Sequence, residues 1–222
     1  MDMVEAMGVR HSVRSYTDRR IECEVRAQLE SYIAQCNAAS GLHIQLVCDE
    51  PKAFSGMLAH YGKFSGVRNY IALAGRKGAG LDEECGYWGE KVVLFAQTQG
   101  LNTCWVALTY SKGKVSCKLD DGEVLRLVIA IGYGVDGGKA HASKSREDVM
   151  KLTGAADQWF LDGVDAALLA PSAMNQQKFT FILEDGGKVR AQAGLGFYSR
   201  IDLGIAKCHF ELGAGDGAFH WS

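Results

Sequence analysis

The sequence predicts a mixed helix-and-strand chain that runs through two similar passes within one folded unit. Three observations carry this. Segments with apolar residues at the 3–4 spacing of a helix alternate with short apolar runs of strand length. Only two prolines, Pro51 and Pro171, stand against 27 glycines, so long helices are permitted and the glycines cluster at breaks between periodic segments. The order helix, small-residue turn, strand ending in acidic residues occurs twice. A length of 222 residues, 47% of them hydrophobic, suits one large domain or two small ones packed together.

In the first pass, Glu22 to Ala39 places Val25, Leu29, Tyr32, Ile33 and Cys36 on one helical face. His43 to Cys48 reads as a short strand and Tyr70–Ala74 as a buried one. Tyr87 to Gln99 is a strong helix ended by Gly100. Thr103–Leu108 and Leu125–Ile131 are strand-like, with a helical start to the latter as the alternative. The second pass begins near Ser145. Asp157 to Leu169 repeats the helical period, Phe179–Leu183 is a strand, and Ile201–Leu212 is a helix closed by Gly213. The stretch from Ser31 aligns with that from Asp165, and Gly89–Phe95 with Gly204–Phe210. This order predicts a diverged duplication with approximate repeats 1–140 and 141–222.

Composition excludes several classes. With 24 basic and 26 acidic residues the net charge is −2, so no bulk field draws the chain to nucleic acid or an anionic membrane. Met1–Glu5 is acidic and lacks the apolar core of a secretory signal, and no apolar run approaches the roughly 20 residues that span a bilayer. The expectation is a cytoplasmic protein with no nucleic-acid or membrane partner. Seven cysteines, an odd number at wide spacings with no C-x-x-C pair, read as reduced, packed thiols rather than a disulfide or zinc framework. The six histidines show no metal spacing, and His209, in an apolar helix, reads as a hydrogen-bonded core histidine.

Three segments suggest chemistry. Arg10-His11-Ser12-Val13-Arg14 offers two guanidiniums and a hydroxyl, suited to phosphate oxygens; a solvated helix turn is the plainer reading. Ala170-Pro171-Ser172-Ala173-Met174-Asn175-Gln176-Gln177 joins an apolar helix to an apolar strand. Its small residues would let backbone approach a planar ligand while Asn175 donates and accepts, and it also reads as an ordinary turn. Gly100-Leu101-Asn102-Thr103-Cys104-Trp105 reads mainly as a helix end leading into a core strand, with no basic neighbour to activate Cys104.

In this order and company, with Ile131-Gly132-Tyr133-Gly134 between them, these segments resemble the nitroreductase family. The likeness is closest to the branch in which two halves of one chain stand in for two subunits, and it covers essentially the whole chain. It implies an α+β sandwich, each half carrying a mostly antiparallel sheet flanked by helices, in one unit spanning 1–222. It also implies FMN as cofactor and NAD(P)H as co-substrate. One departure is informative. The slot for the P-S-x-N motif in the first half holds a degenerate Asn37-Ala38-Ala39-Ser40-Gly41, and the good copy lies in the second half. Splitting the motifs across the halves implies one composite flavin site per chain.

By the same resemblance Arg10 pairs with the phosphate, helped by His11 and Ser12, and Arg14 lies by the ribityl chain or the N1–C2=O edge. Ser172, Asn175 and Gln177 close the other side of the ring. Lys144 and Arg146 match a basic segment that reaches the phosphate, or form an exposed basic loop. Leu108 and Thr109 present backbone to the N5 face. No side chain is expected to act as catalyst, since the flavin carries the chemistry. Turnover is ping-pong, from NAD(P)H to a small electron-poor acceptor such as a nitroaromatic or quinone. Absence of a G-x-G-x-x-G opening a βαβ unit argues against a Rossmann dehydrogenase. Lys178 and Phe179 replace the family's proline and tryptophan, which keeps open a flavin carrier or sensor with little turnover, or a scaffold without flavin. Phe219-His220-Trp221 is expected to pack on the body or on a ligand channel. A monomer with an internal pseudo-two-fold and a homodimer are both compatible with the sequence.

Overall fold

The computed structural model describes residues 1–152, 154–215, 217 and 219–222. In chain order the elements are α1 (Met3–Val9), α2 (Cys23–Ser40), β1 (Gln45–Val47), α3 (Met57–Tyr61), β2 (Asn69–Arg76), α4 (Leu81–Thr98), β3 (Asn102–Val106), β4 (Glu123–Gly132), α5 (Arg146–Val149), β5 (Met150–Leu152), α6 (Gln158–Leu168), β6 (Phe179–Glu184), β7 (Lys188–Ala193), α7 (Ser199–Ala214) and β8 (His220–Trp221). They build two four-stranded sheets, ordered β1-β2-β4-β3 and β5-β6-β7-β8.

The first sheet is antiparallel throughout. Its central strands are apolar on both faces because both faces are covered. Ile71, Leu73, Leu127, Ile129 and Ile131 face the main core with α2 and α4, while Tyr70, Ala72, Val128 and Ala130 face a second core with Phe54, Phe64 and Tyr110. A register shift pairs Leu73 with Leu127 but Ala74 with Leu125. The extra residue, Arg126, turns Leu125 into the second core. The 125–131 segment is therefore strand from its start. In the second sheet β6 and β7 form a hairpin closed by Asp185-Gly186-Gly187, where both glycines take the left-handed backbone that such a turn requires. β5 and β8 flank the hairpin as parallel edge strands.

The two sheets share one core because the helices between them cross at close range. A Cβ on Gly86 would lie 2.1 Å from the Ile201 carbonyl oxygen, and one on Gly204 2.0 Å from that of Glu83. Only glycine at both positions lets α4 and α7 meet backbone to backbone. Phe160, Phe181 and Phe210 fill the far side, Phe210 stacked on Phe181 at 4.5 Å and edge-on to Phe160 at 5.6 Å. Phe219 stacks on Trp159, and Trp221 donates its indole N–H to Glu211 Oε1, so the C-terminal aromatics pack on the body. α4 begins at Leu81, six residues ahead of the expected start, with Asp82, Glu83 and Glu84 complementing its N-terminal dipole. α1, α3, α5, β5, β7 and β8 add to the expected elements. Residues 1–140 hold α1 to α4 and the first sheet, and residues 141–222 hold α5 to α7 and the second. All seven cysteines are free thiols. Among the described residues no helix is long and apolar enough to cross a membrane.

Candidate functional site

After α1 the chain leaves helical geometry at Arg10 and runs extended beside β3, with the Val13 N–H donating to the Thr103 carbonyl. This places Ser12 and Arg14 next to the strand Cys104–Val106 and the loop after it. Against them stand the turn after α6 and the start of α7. Between these elements lies a cleft of about 480 Å³. Ser12, Arg14, Trp105, Leu108 and Thr109 come from the first half, and Pro171, Ser172, Met174, Tyr198 and Asp202 from the second. Five of the eleven expected site residues therefore meet in one cavity: Ser12, Arg14, Leu108, Thr109 and Ser172. Leu108, Met174 and Phe197 leave the mouth apolar, the last two 82% and 78% exposed.

The second-half wall is conformationally demanding. Met174, Asn175, Gln177 and Tyr198 all take positive φ, between 42° and 60°, a region costly for residues with a side chain. A dense hydrogen-bond set holds them there. The Ser172 hydroxyl accepts from the Gln177 N–H at 3.0 Å, and Asn175 Nδ2 donates to the Ala142 carbonyl at 2.7 Å. Asp202 accepts from the Ala173 N–H and from Gln176 Nε2, both at 2.9 Å. Burial holds the Asp202 carboxyl above the usual range, against the pull of those two donors.

The other expected residues are not among those lining this cavity. Gln177 is buried; its Oε1 accepts from the Lys144 N–H at 2.8 Å and its Nε2 donates to the Leu168 carbonyl at 2.9 Å. Lys144 Nζ donates to the Gln177 carbonyl at 3.0 Å. Arg146 makes two hydrogen bonds to Asp165, one of them 2.6 Å from Nε. His11 sits half-buried against Gly138, where an added Cβ would meet its own at 2.9 Å. Lys178 is exposed and Phe179 lies in the core, so both departures from the family pattern fall away from the cleft lining.

Arg10 is 2% exposed and is not among the residues lining the cleft. Its Nε lies 3.8 Å from Glu90 Oε1, and its Nε and Nη1 have no hydrogen-bond partner. The charges of Arg14 and Arg10 act on the Cys104 thiol, although burial dominates and pushes that thiol up. Glu90, fully buried on α4, accepts from Trp105 Nε1 at 2.8 Å and faces His209 Nε2 at 2.9 Å. His209 is the hydrogen-bonded core histidine its sequence context indicates, with Nδ1 3.1 Å from the Ala166 carbonyl. Sequence reasoning missed Glu90 and Asp202. Their signal was a single acidic residue on an otherwise apolar helix face.

The C-terminal end of α2, at Ala39 and Ser40, lines a second cavity with Glu83, Glu84, Lys207, Glu211 and Trp221. Asn37 there closes its helix end, exchanging hydrogen bonds with Ile44 backbone at 2.8 and 2.9 Å. Elsewhere His43, Asp120 and Glu123 bring potential metal-ligand atoms within 4.8 Å of one another; His43 Nδ1 lies 2.8 Å from Glu123 Oε2.

No protein of curated function matches the chain. Among solved structures, a "putative nitroreductase" from Thermotoga maritima MSB8 is similar over 95% of this chain and 82% of its own, with 23% identity and a TM-score of 0.65. A "putative nitroreductase" from Desulfovibrio desulfuricans, solved in complex with FMN, is similar over 66% of this chain and 94% of its own, with 16% identity and a TM-score of 0.52. A "Putative NADH dehydrogenase/NAD(P)H nitroreductase" from Parabacteroides distasonis ATCC 8503 covers 66% and is itself covered to 95%, with 20% identity and a TM-score of 0.52. At these identities the likeness is one of fold. The family model described as "Putative TM nitroreductase" matches residues 2–214. With this match and its α+β fold of antiparallel-rich sheets flanked by helices, the chain belongs to that nitroreductase family.

Proposed function

We propose that the chain is an FMN-dependent oxidoreductase that passes electrons from NAD(P)H to small electron-poor acceptors such as nitroaromatics or quinones. Family membership supports the general oxidoreductase role. The observation that carries the finer reading is the composite cleft, whose walls come from the two segments expected to hold a flavin, one from each half. Its volume falls in the range of small-molecule sites, roughly 300–1,000 Å³, and its apolar, aromatic lining suits a planar ring. Outside the cleft lining, the buried Arg10 nitrogens without partners suit a phosphate, because a buried donor left unpaired is costly and guanidinium matches phosphate oxygens.

In this reading Ser12, Arg14, Ser172 and the backbone at Leu108 and Thr109 make the direct contacts, and Arg10 with His11 serves the phosphate end. Asn175, Gln177 and Lys144 hold the second-half wall in its strained form, and Arg146 anchors the adjoining loop through Asp165. FMN, when bound, supplies hydride and electron transfer. The protein orients it and leaves the apolar mouth for donor and acceptor in turn, which supports ping-pong kinetics. The cavity at Ser40 carries three carboxylates against one lysine, Lys207, which is already paired with Glu83, a setting that disfavours phosphate and supports one flavin per chain. Repeats 1–140 and 141–222 supply one wall each, so a monomer suffices, and a cytoplasm holding NAD(P)H is the fitting compartment.

The test is NAD(P)H oxidation with menadione by flavin-loaded protein, beside Arg14→Ala. Oxidation that depends on menadione and falls in the variant supports the reading. Bound FMN without turnover would shift it to a carrier, and no bound FMN would end it.

A further inference from the structure

The buried cluster joining the halves assigns a role to His209 that no motif indicated. The Ala166 carbonyl only accepts, so His209 Nδ1 carries a hydrogen and donates it. Nε2 then faces Glu90 Oε1 at 2.9 Å, a separation at which one proton must lie between them, on either atom. Glu90 Oε2 is taken by the Trp105 indole N–H. With Arg10 added, the fully buried set of guanidinium, carboxylate, imidazole and shared proton carries one net positive charge, wherever that proton resides. Without it, the Glu90 carboxylate would be the counter-charge of Arg10 and the set would be neutral. Cys208 beside His209 does not change this count, because burial pushes its thiol well up and leaves it uncharged.

We propose that His209, from the second half, neutralises Glu90 and so leaves the charge of Arg10, from the first half, available to an anionic ligand group. The inference rests on the flavin reading above and deepens it: His209 is a positioning residue for the phosphate end of the site. Three observations meet here. Arg10 is nearly sealed from solvent, two of its nitrogens lack partners, and its closest carboxylate is already engaged at 2.9 Å by another cation-forming group rather than by Arg10, which stands 3.8 Å away. A buried arginine meant only to balance Glu90 would sit in direct hydrogen-bonded contact with it.

The experiment compares FMN with riboflavin, which lacks the phosphate, by fluorescence titration of the apoprotein. Wild type should prefer FMN. His209→Gln should lower that preference about tenfold or more, the scale of one charge-assisted hydrogen bond, while riboflavin affinity stays within about twofold. Adding Glu90→Gln in the double variant should restore the preference, because the carboxylate that captures Arg10 is gone. Glu90→Gln alone should keep it, and this variant tests the idea even if His209→Gln fails to fold. Equal loss of FMN and riboflavin in His209→Gln, an unchanged ratio, or no recovery in the double variant would overturn the proposal. So would loss of the FMN preference in Glu90→Gln. If wild type binds neither flavin, the flavin reading fails first; if it prefers FMN and the variants do not respond, only the role of His209 fails.

Discussion

Replacing Gly204 with alanine adds one methyl group where the two central helices cross. The new Cβ would stand 2.0 Å from the Glu83 carbonyl oxygen and 2.7 Å from the Tyr87 nitrogen, where ordinary contact begins near 3.4 Å. Both obstacles are backbone, so no rotamer change relieves them, and α4 and α7 must part by more than an ångström. Overpacking a core costs about 1–3 kcal/mol, and a rigid backbone obstacle belongs at the upper end. Alanine in a helix returns about 1 kcal/mol against glycine, leaving a net loss of about 2 kcal/mol. For a domain of this size that lowers Tm by about 4–8 °C. Gly8→Ala is the control: it makes the same change within α1, where nothing lies within 4 Å, and should stabilise by up to about 1 kcal/mol. Urea denaturation followed by circular dichroism reads both, with the slope m unchanged if only stability moves. A Gly204→Ala protein as stable as wild type would refute the backbone-to-backbone crossing.

Other outcomes follow from single sites. Asp202 is held above the usual carboxylate range by burial, so the folded state binds its proton more tightly than the unfolded state does. Stability from this group is therefore greatest when it is protonated and is lost as pH rises from about 4 through the raised value. Asp202→Asn should flatten the Tm–pH curve over that span; an unchanged curve would show that Asp202 does not titrate as argued. Burial pushes the thiols of Cys36, Cys48, Cys104, Cys117 and Cys208 up, and that of Cys85 up to about 12, whereas Cys23 is exposed. Ellman's reagent should thus label Cys23 quickly in the native protein, the half-buried Cys48 and Cys117 more slowly, and the buried Cys36, Cys85, Cys104 and Cys208 only after unfolding. Rapid labelling of several native thiols would contradict the packing. The Tyr70 hydroxyl donates to Glu50 Oε2 at 3.0 Å and accepts from the Ser116 N–H at 2.8 Å. Tyr70→Phe leaves that N–H unpaired, so a loss of about 1–3 kcal/mol is expected in denaturant titration.

Elements with a strong period were legible. The amphipathic face from Val25 to Cys36 and the apolar run of Phe179–Leu183 appear where their patterns put them. The early start of α4 was masked because Asp82-Glu83-Glu84 signals a helix start by charge, not by apolar spacing. Lys188–Ala193 carries a single large apolar residue, Val189, so β7 is defined by its pairing with β6 rather than by its composition. At the site, the local motifs located the two walls. They did not show that Arg10 turns inward to Glu90, or that Asn175 and Gln177 spend their polar groups on neighbouring backbone. Apart from the Gln177–Leu168 bond, which spans nine positions, those outcomes depend on contacts between residues 33 to 119 positions apart, such as Lys144 with Gln177 and Glu90 with His209, which no local window contains.

The central claim is one composite flavin site per chain, and its stoichiometry tests it most directly. The protein would be saturated with FMN, freed of excess by gel filtration, and its bound flavin measured by absorbance against protein concentration. The account predicts one FMN per chain, lost in Arg14→Ala. Two per chain would contradict the single composite site, and none at saturating FMN would contradict the flavin reading itself.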